Sequence, residues 1–317
     1  MKKVLFVSLA MVGLSVLSVA HATVITENFS ANPLQNGWRI FGNTNLFQWN
    51  STNQNLEVTW DSSQPNSYFY HPLGTILTTN DDFSLAFDIQ VSDADATGFF
   101  ELAVGFLNFK DATNANFARG TGSDSPNLVE FDYFPDTGWG PTLSCTMTDT
   151  NSIFDFLEDF VGLDSGVTYH VVLTHGAGAA LVRGQVFING RLYTALPVSY
   201  LSTNFTDFRL DTVAVSSYTA TNDPWGDSLL AHGGVANFVV TVPPPPVQNL
   251  TGSFSNAVWR AQFISRSNWL YTLKRTADFQ SWTNVSAATA GNGTNLFLSD
   301  AHPPASRAFY RVRAERP

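Results

Sequence analysis

Short runs of alternating apolar and polar residues dominate the chain after residue 22, and they constrain the fold more than any other feature. This period of two predicts β-strands, because successive strand side chains point to opposite faces. Turn residues separate the runs, and only residues 155–160 suggest a short helical turn. Asn189-Gly190 predicts a hairpin turn between residues 185–188 and 191–194. The predicted strands span residues 56–60, 67–71, 83–91, 99–109, 128–134, 168–174, 183–188, 208–215 and 235–242.

About ten or more short antiparallel strands in residues 23–242 predict a single β-sandwich. Its terminal runs, residues 24–29 and 237–242, are expected to pair and bring the two ends of the domain together. Cys145 is the only cysteine, so no disulfide forms within the chain. Its neighbours in residues 142–147 predict a buried position on a strand.

The first 22 residues have the pattern of a signal peptide. Lys2 and Lys3 give a basic start, residues 4–20 are mostly apolar, and Ala20-His21-Ala22 offers small residues for cleavage. No later apolar run approaches the length of about 20 residues that a membrane-spanning helix needs. These observations predict a secreted bacterial protein, located in the periplasm, at the cell surface or outside the cell.

Four prolines, residues 243–246, predict an extended linker between a first domain, residues 23–242, and a second domain, residues 247–317. The first domain has 23 acidic and 6 basic residues, a net charge of −17, and the second has 3 and 8, a net charge of +5. An acidic first domain would repel nucleic acid. The second domain is expected to be a small β-sandwich with aromatic core residues: Trp259, Trp269, Trp282 and Tyr310.

A carboxylate row lies in residues 129–141, where a strand runs into a turn at Pro135. Alternation places Glu130, Asp132 and Phe134 on one face, and Asp136 follows in the turn. Carboxylates arranged in this way can hold a hard metal ion or act as a catalytic acid and nucleophile. The alternative is a strand whose outer, solvated face is acidic.

This stretch resembles the metal-binding strand of legume lectins, which have concanavalin A-like sandwiches. The resemblance implies calcium bound by Asp132, the Phe134 carbonyl and Asp136, with Glu130 as a further metal ligand. The later Asp and His of that pattern do not appear, since Gly140, Pro141, Ser144 and Cys145 follow here. Upstream, Ala94-Asp95 before Gly98-Phe99 is loosely similar to a lectin loop, which implies that Asp95 accepts sugar hydroxyl groups.

Laminarinase-type glycoside hydrolases share the same sandwich and carry the pattern Glu-x-Asp-x-(x)-Glu. Glu130 and Asp132 match its first two positions, but Phe134 and Pro135 occupy the third. Retaining hydrolysis needs two carboxylates about 5 Å apart, so this departure favours a non-catalytic protein. The order of sandwich, proline linker and C-terminal module also resembles secreted proteins of Verrucomicrobia-type bacteria.

Further candidates for carbohydrate binding combine aromatic rings, which stack on sugars, with polar acceptors for hydroxyl groups. One is Trp139, which lies between two glycines and is therefore expected at an exposed, mobile tip. The others are Tyr218, Asp223, Trp225 and Asp227 in one loop. The predicted function is a secreted, calcium-assisted glycan-binding module that recognises a poly- or oligosaccharide. A polysaccharide hydrolase and a structural cell-surface protein remain alternatives. The basic second domain is expected to attach the protein to an anionic cell envelope, with the linker holding the acidic domain clear of it.

Overall fold

The computed structural model describes residues 22–119, 125–221, 226–305 and 307–317, so nearly all of the predicted signal peptide lies outside it. The strands of the first domain are β1 Thr23–Glu27, β2 Arg39–Phe41, β3 Phe47–Asn50, β4 Asn55–Asp61, β5 Ser67–Leu77, β6 Phe83–Thr97, β7 Leu102–Leu107, β8 Leu128–Phe134, β9 Thr142–Thr148, β10 Phe154–Asp159, β11 Thr168–His175, β12 Leu181–Ile188, β13 Arg191–Ser199, β14 Leu210–Ser217 and β15 Ser228–Val242. One short helix, α1, spans Phe109–Ala112, and two 3-10 turns span Pro33–Gln35 and Thr44–Leu46.

Two antiparallel sheets form the first domain and confirm the predicted β-sandwich. One sheet has the order β13-β12-β11-β6-β15-β4-β3, with β1 also paired to β15, and the other has the order β10-β9-β8-β7-β14-β5-β2. Thr23 lies opposite Val242, so the ends of the domain meet as predicted. The hairpin at Asn189-Gly190 is also confirmed, and both residues have the positive φ that such a turn requires.

The core lies between the two sheets. Phe131 of β8 contacts Phe87 of β6 across it, with ring centroids 6.0 Å apart. Cys145 is fully buried in β9, as predicted, and burial raises the pKa of its thiol. Gly184 of the facing sheet leaves room for it, because a Cβ there would lie 3.2 Å from Cys145 Cβ.

The expected helical turn at residues 155–160 is wrong, because Phe154–Asp159 form the edge strand β10 and pair with β9. Phe154 and Phe156 alternate along this strand, and their rings stack with centroids 5.8 Å apart. The only helix among the described residues, α1, was not predicted. It is a single turn, and the Asn108 side chain caps it by accepting a hydrogen bond from the Asp111 amide.

The second domain contains two small sheets, one of order β16-β17-β21 and one of order β19-β18-β20 with β22 paired to β18. Its strands are β16 Val247–Ser255, β17 Val258–Ser265, β18 Leu270–Thr276, β19 Thr283–Asn284, β20 Thr289–Ala290, β21 Asn295–Asp300 and β22 Phe309–Glu315. Trp269 is buried in the core, while Trp259 stacks on Tyr310 at its edge with ring centroids 3.9 Å apart. Trp282 lies outside this core, beneath the guanidinium of Arg311.

The two domains are in contact beside the proline linker. Asp81 of the first domain is nearly buried and accepts ion pairs from Arg266 at 2.7 Å and Arg316 at 2.6 Å. Both guanidinium groups also lie near the Trp269 ring, at 5.7 and 5.6 Å from its centroid. Ile76 of the first domain packs against the core of the second.

No helix in the described part of the chain is long and apolar enough to cross a membrane.

Candidate functional site

Strand β8 directs Glu130 and Asp132 away from the core, because Phe131 between them points into it. Their neighbours in the adjacent strands are Gly105 and Ala103 of β7 and Thr146 and Ser144 of β9. These small residues leave room above the sheet for other side chains. Both carboxyl groups are nevertheless fully buried. The prediction of a solvated acidic face is therefore wrong.

Arg119 covers this face and joins three carboxylates in a buried charged cluster, which comprises Glu101, Arg119, Glu130, Asp132 and Tyr218. Arg119 Nε lies 3.2 Å from Glu101 Oε1 and 3.4 Å from Glu130 Oε2, and Arg119 Nη2 lies 3.2 Å from Asp132 Oδ1. Sequence reasoning missed both Glu101 and Arg119 as site residues. Glu101 fell within the predicted strand over residues 99–109 but lies just before β7, and Arg119 lies in an irregular segment. One guanidinium facing three carboxyl groups leaves an excess of negative charge if all of them ionise.

Protonation of Glu130 relieves part of that excess. Burial raises the pKa of Glu130 to about 8, with a further contribution from Asp132, and the charge of Arg119 only partly opposes this shift. Tyr218 donates its hydroxyl hydrogen to Glu130 Oε1 at 2.6 Å. Burial also raises the pKa of Tyr218, so this hydroxyl stays protonated and remains a donor.

The carboxylates among the predicted metal ligands have protein partners in this structure. Glu130 and Asp132 face the guanidinium of Arg119, which supplies positive charge where a cation would lie. Asp136 is exposed in the following turn, where its Oδ1 accepts a hydrogen bond from the Gly138 amide at 2.7 Å. Within the described ranges, no group of three or more His, Cys, Asp or Glu residues could hold a metal ion.

Trp139 lies at the tip of this turn, and 77% of its side chain is exposed. The Gly140 carbonyl fixes the turn by accepting hydrogen bonds from the Thr137 amide at 3.2 Å and the Thr137 hydroxyl at 2.8 Å. Gly138 and Gly140 have φ of +79° and +118°, which side chains other than glycine rarely adopt. The expected exposure is confirmed, and local hydrogen bonds hold the backbone of the tip in place.

A second loop contacts Trp139 through Phe99, and a third loop contacts Phe99 through Asp227. The Phe99 ring packs edge-on against Trp139 with centroids 5.6 Å apart. Asp227 Oδ2 accepts a hydrogen bond from the Phe99 amide at 2.9 Å. Gly98 is required there, because a Cβ would lie 1.8 Å from Asp227 Oδ1. Phe99, Trp139 and Asp227 form the tip site.

The other predicted sugar-binding residues have different places. Asp95 is exposed within β6, opposite Leu230 of β15, and does not lie in the loop that carries Phe99. Tyr218 is buried in the charged cluster and offers no surface to a sugar. Asp223 and Trp225 lie outside the described residues. Of the four predicted residues that the structure describes, Trp139 and Asp227 are the two that lie in one site.

No protein-family model and no curated protein sequence matches the chain. Among solved structures, it is similar to a seed lectin of Lotus tetragonolobus, with 12% identity and a TM-score of 0.45, over 69% of this chain and 98% of the lectin. It is also similar to the carbohydrate recognition domain of Emp47p, with 12% identity and a TM-score of 0.39, over 68% and 94% of the two chains. The alginate lyase Aly36B has 13% identity and a TM-score of 0.39, over 68% and 96%. The first domain itself is a β-sandwich of two antiparallel sheets.

Proposed function

We propose that the first domain binds a glycan at the tip site, with the Trp139 ring as the stacking surface for a sugar. The observation that carries this proposal is the 77% exposure of Trp139 on a turn held by its own hydrogen bonds. An exposed tryptophan leaves a large apolar surface in water, and covering it with the apolar face of a pyranose stabilises the complex. Since the turn is fixed beforehand, little conformational entropy is lost on binding.

The charge of the domain favours a neutral glycan. Its net charge is −17. Asp136 precedes Trp139 in the same turn, and Asp227 binds the amide of Phe99, whose ring contacts Trp139. An anionic polysaccharide would be repelled by this field, whereas uncharged hydroxyl groups can donate hydrogen bonds to carboxylates. The Asp227 carboxylate also accepts a hydrogen bond from the Phe99 amide, so it positions the Phe99 ring against Trp139.

A binding experiment on the full chain tests the proposal. Affinity gel electrophoresis with a panel of neutral polysaccharides should show retardation of the wild-type protein, and Trp139→Ala should weaken it by about tenfold, which corresponds to about 1.4 kcal/mol. Phe160→Ala is the matched control, because Phe160 is another aromatic residue of the first domain and is 60% exposed. Equal loss in both variants, or no retardation by any neutral glycan, would contradict a site at Trp139.

The function is proposed as non-catalytic, because the only carboxylates that match the hydrolase pattern are buried. Glu130 and Asp132 are fully covered, and Phe134 stands where that pattern has its second glutamate. A polysaccharide would have to displace Arg119 to reach them. Release of reducing sugar from a β-glucan by the wild-type protein, abolished by Glu130→Gln, would instead establish the hydrolase alternative.

Calcium assistance remains a prediction from the lectin resemblance. The test is a thermal melt and a glycan titration with millimolar calcium and then with a chelator. A response to calcium that disappears in Asp132→Asn and Asp136→Asn would support it. The arrangement around Arg119 leads us to expect no response, since a divalent cation at Asp132 would be repelled by the guanidinium.

A further inference from the structure

An exposed aromatic and basic surface lies on the second domain, far from the tip site in sequence. The strand register places these residues side by side, because Lys274 pairs with Arg311 and Thr276 with Phe309 between β18 and β22. These residues share the face of the sheet that points away from the core, since the intervening Leu273 and Val312 pack into the core. We call Lys274, Phe279, Trp282, Phe309 and Arg311 the aromatic face.

Three rings lie side by side on this face. Phe279 contacts Phe309 with centroids 4.0 Å apart and Trp282 with centroids 6.4 Å apart. Phe279 is 61% exposed and Phe309 is 37% exposed. Phe279 also has a φ of 62°, a conformation that is costly for a bulky residue. An apolar cluster that stays in water on a strained backbone is typical of a binding surface.

The positive charges on the aromatic face are available, unlike most others in the domain. Arg266 and Arg316 are paired with Asp81, Arg275 with Asp300 and Arg313 with Glu315. In the described part of the chain no ion pair involves Lys274 or Arg311. The guanidinium carbon of Arg311 lies over the Trp282 ring, 4.0 Å from its centroid, and this contact holds the cation at the surface.

A polar groove adjoins the aromatic face where β18 ends. It has a volume of about 300 Å³ and is lined by hydroxyl groups of Thr276, Ser281 and Thr283 beside Arg275 and Arg307. Asp278 also lines it, but its carboxylate accepts hydrogen bonds from the Gln280 and Ser281 amides and the Thr276 hydroxyl. Hydroxyl groups and guanidinium groups beside exposed rings match the hydroxyl groups, carboxylates and apolar faces of acidic sugars.

We propose that the aromatic face of the second domain binds an acidic polysaccharide, in which uronate carboxylates pair with Lys274 and Arg311 while sugar rings pack on Phe279 and Phe309. Charge complementarity favours this occupant, because the domain has a net charge of +5 whereas the first domain has a net charge of −17. The protein then carries two sites of opposite preference, one for a neutral and one for an acidic glycan.

The test uses the full chain with polygalacturonate as the acidic probe and pullulan as a neutral one. At an ionic strength of about 0.01 M, where the Debye length is about 30 Å, polygalacturonate should retard the wild-type protein in affinity electrophoresis. The double variant Lys274→Gln, Arg311→Gln should bind at least about tenfold more weakly, and Phe279→Ala, Phe309→Ala should weaken binding by a similar factor. Thermal melts of each variant confirm folding.

Arg260→Gln is the matched control, because Arg260 is an exposed basic residue on β17, in the other sheet. It should change binding by less than about twofold, and Trp139→Ala should leave polygalacturonate binding intact, which separates this site from the tip site. Equal losses for Arg260→Gln and the double basic variant would show attraction to net charge alone and overturn the proposal. Absence of polygalacturonate binding, or binding to phosphatidylglycerol vesicles only, would also overturn it.

Discussion

The buried charged cluster and the tip site use the same segments of chain and have opposite character. Glu101 and Phe99 are two residues apart, yet the glutamate is buried beside Arg119 whereas the phenylalanine packs at the surface against Trp139. Strand β8 contributes two buried carboxylates, and the turn after it contributes an exposed ring. Carboxylates that look like ligands in the sequence are buried against Arg119, and the accessible side chains of the proposed glycan site are mainly aromatic.

Removal of the Arg119 guanidinium should have the largest effect on the stability of the protein. Arg119→Met leaves three buried carboxyl groups without their shared positive partner, and we expect a loss of about 3–5 kcal/mol in unfolding free energy. Chemical denaturation of the full chain measures it. Adding Glu130→Gln and Asp132→Asn to Arg119→Met should restore part of the loss. A combined variant no more stable than Arg119→Met would show that the charge imbalance is not its cause.

Stability should also fall as pH rises, because Glu130 binds a proton more tightly in the folded chain. Its folded pKa is about 8, against an ordinary value of 4.5. Between these two values the folded state holds a proton that the unfolded state has lost, so this contribution is complete below about pH 4.5 and is lost as pH approaches 8. The limiting slope is about 1.4 kcal/mol per pH unit. Glu130→Gln should flatten the dependence of the melting temperature on pH in this window. If the melting temperatures of the two proteins fall in parallel with pH, the assignment is contradicted.

Removal of the Asp227 carboxylate, which binds the Phe99 amide in the tip site, should have a smaller effect on stability. Asp227→Ala removes the acceptor for the Phe99 amide and should cost about 1–2 kcal/mol. It should also weaken glycan binding, because Phe99 no longer supports Trp139. Asp227→Asn keeps an acceptor oxygen and serves as the control. If the alanine variant binds glycan as tightly as the wild-type protein, Phe99 plays no part in the site.

The smallest effect on stability should come from the residue most important for binding. Trp139→Ala removes a ring that is largely in water, so the unfolding free energy should change by less than about 0.5 kcal/mol. Its effect on glycan affinity should still be about tenfold. A melting temperature far below that of the wild-type protein would mean that Trp139 packs as a structural residue.

Local alternation was enough to predict several strands closely. Residues 128–134 were predicted as a strand and form β8 with the same bounds, because Val129, Phe131 and Tyr133 alternate with Glu130 and Asp132. In the second domain, local alternation did not predict which tryptophans are buried in the core. Trp282 is as apolar as Trp269, yet it lies outside the core because the two-residue strand β19 and the Arg311 side chain place it there.

Side-chain period, turn residues and composition were sufficient to predict the all-β fold, the pairing of the first domain's two ends, the buried cysteine and the exposure of Trp139. Which carboxylates are accessible depends on the tertiary packing. Arg119 lies 11 residues before Glu130 in an irregular segment, and no local pattern shows that it covers the sheet. The same holds for Asp81 with Arg266 and Arg316, because contacts between distant segments depend on how the whole chain packs.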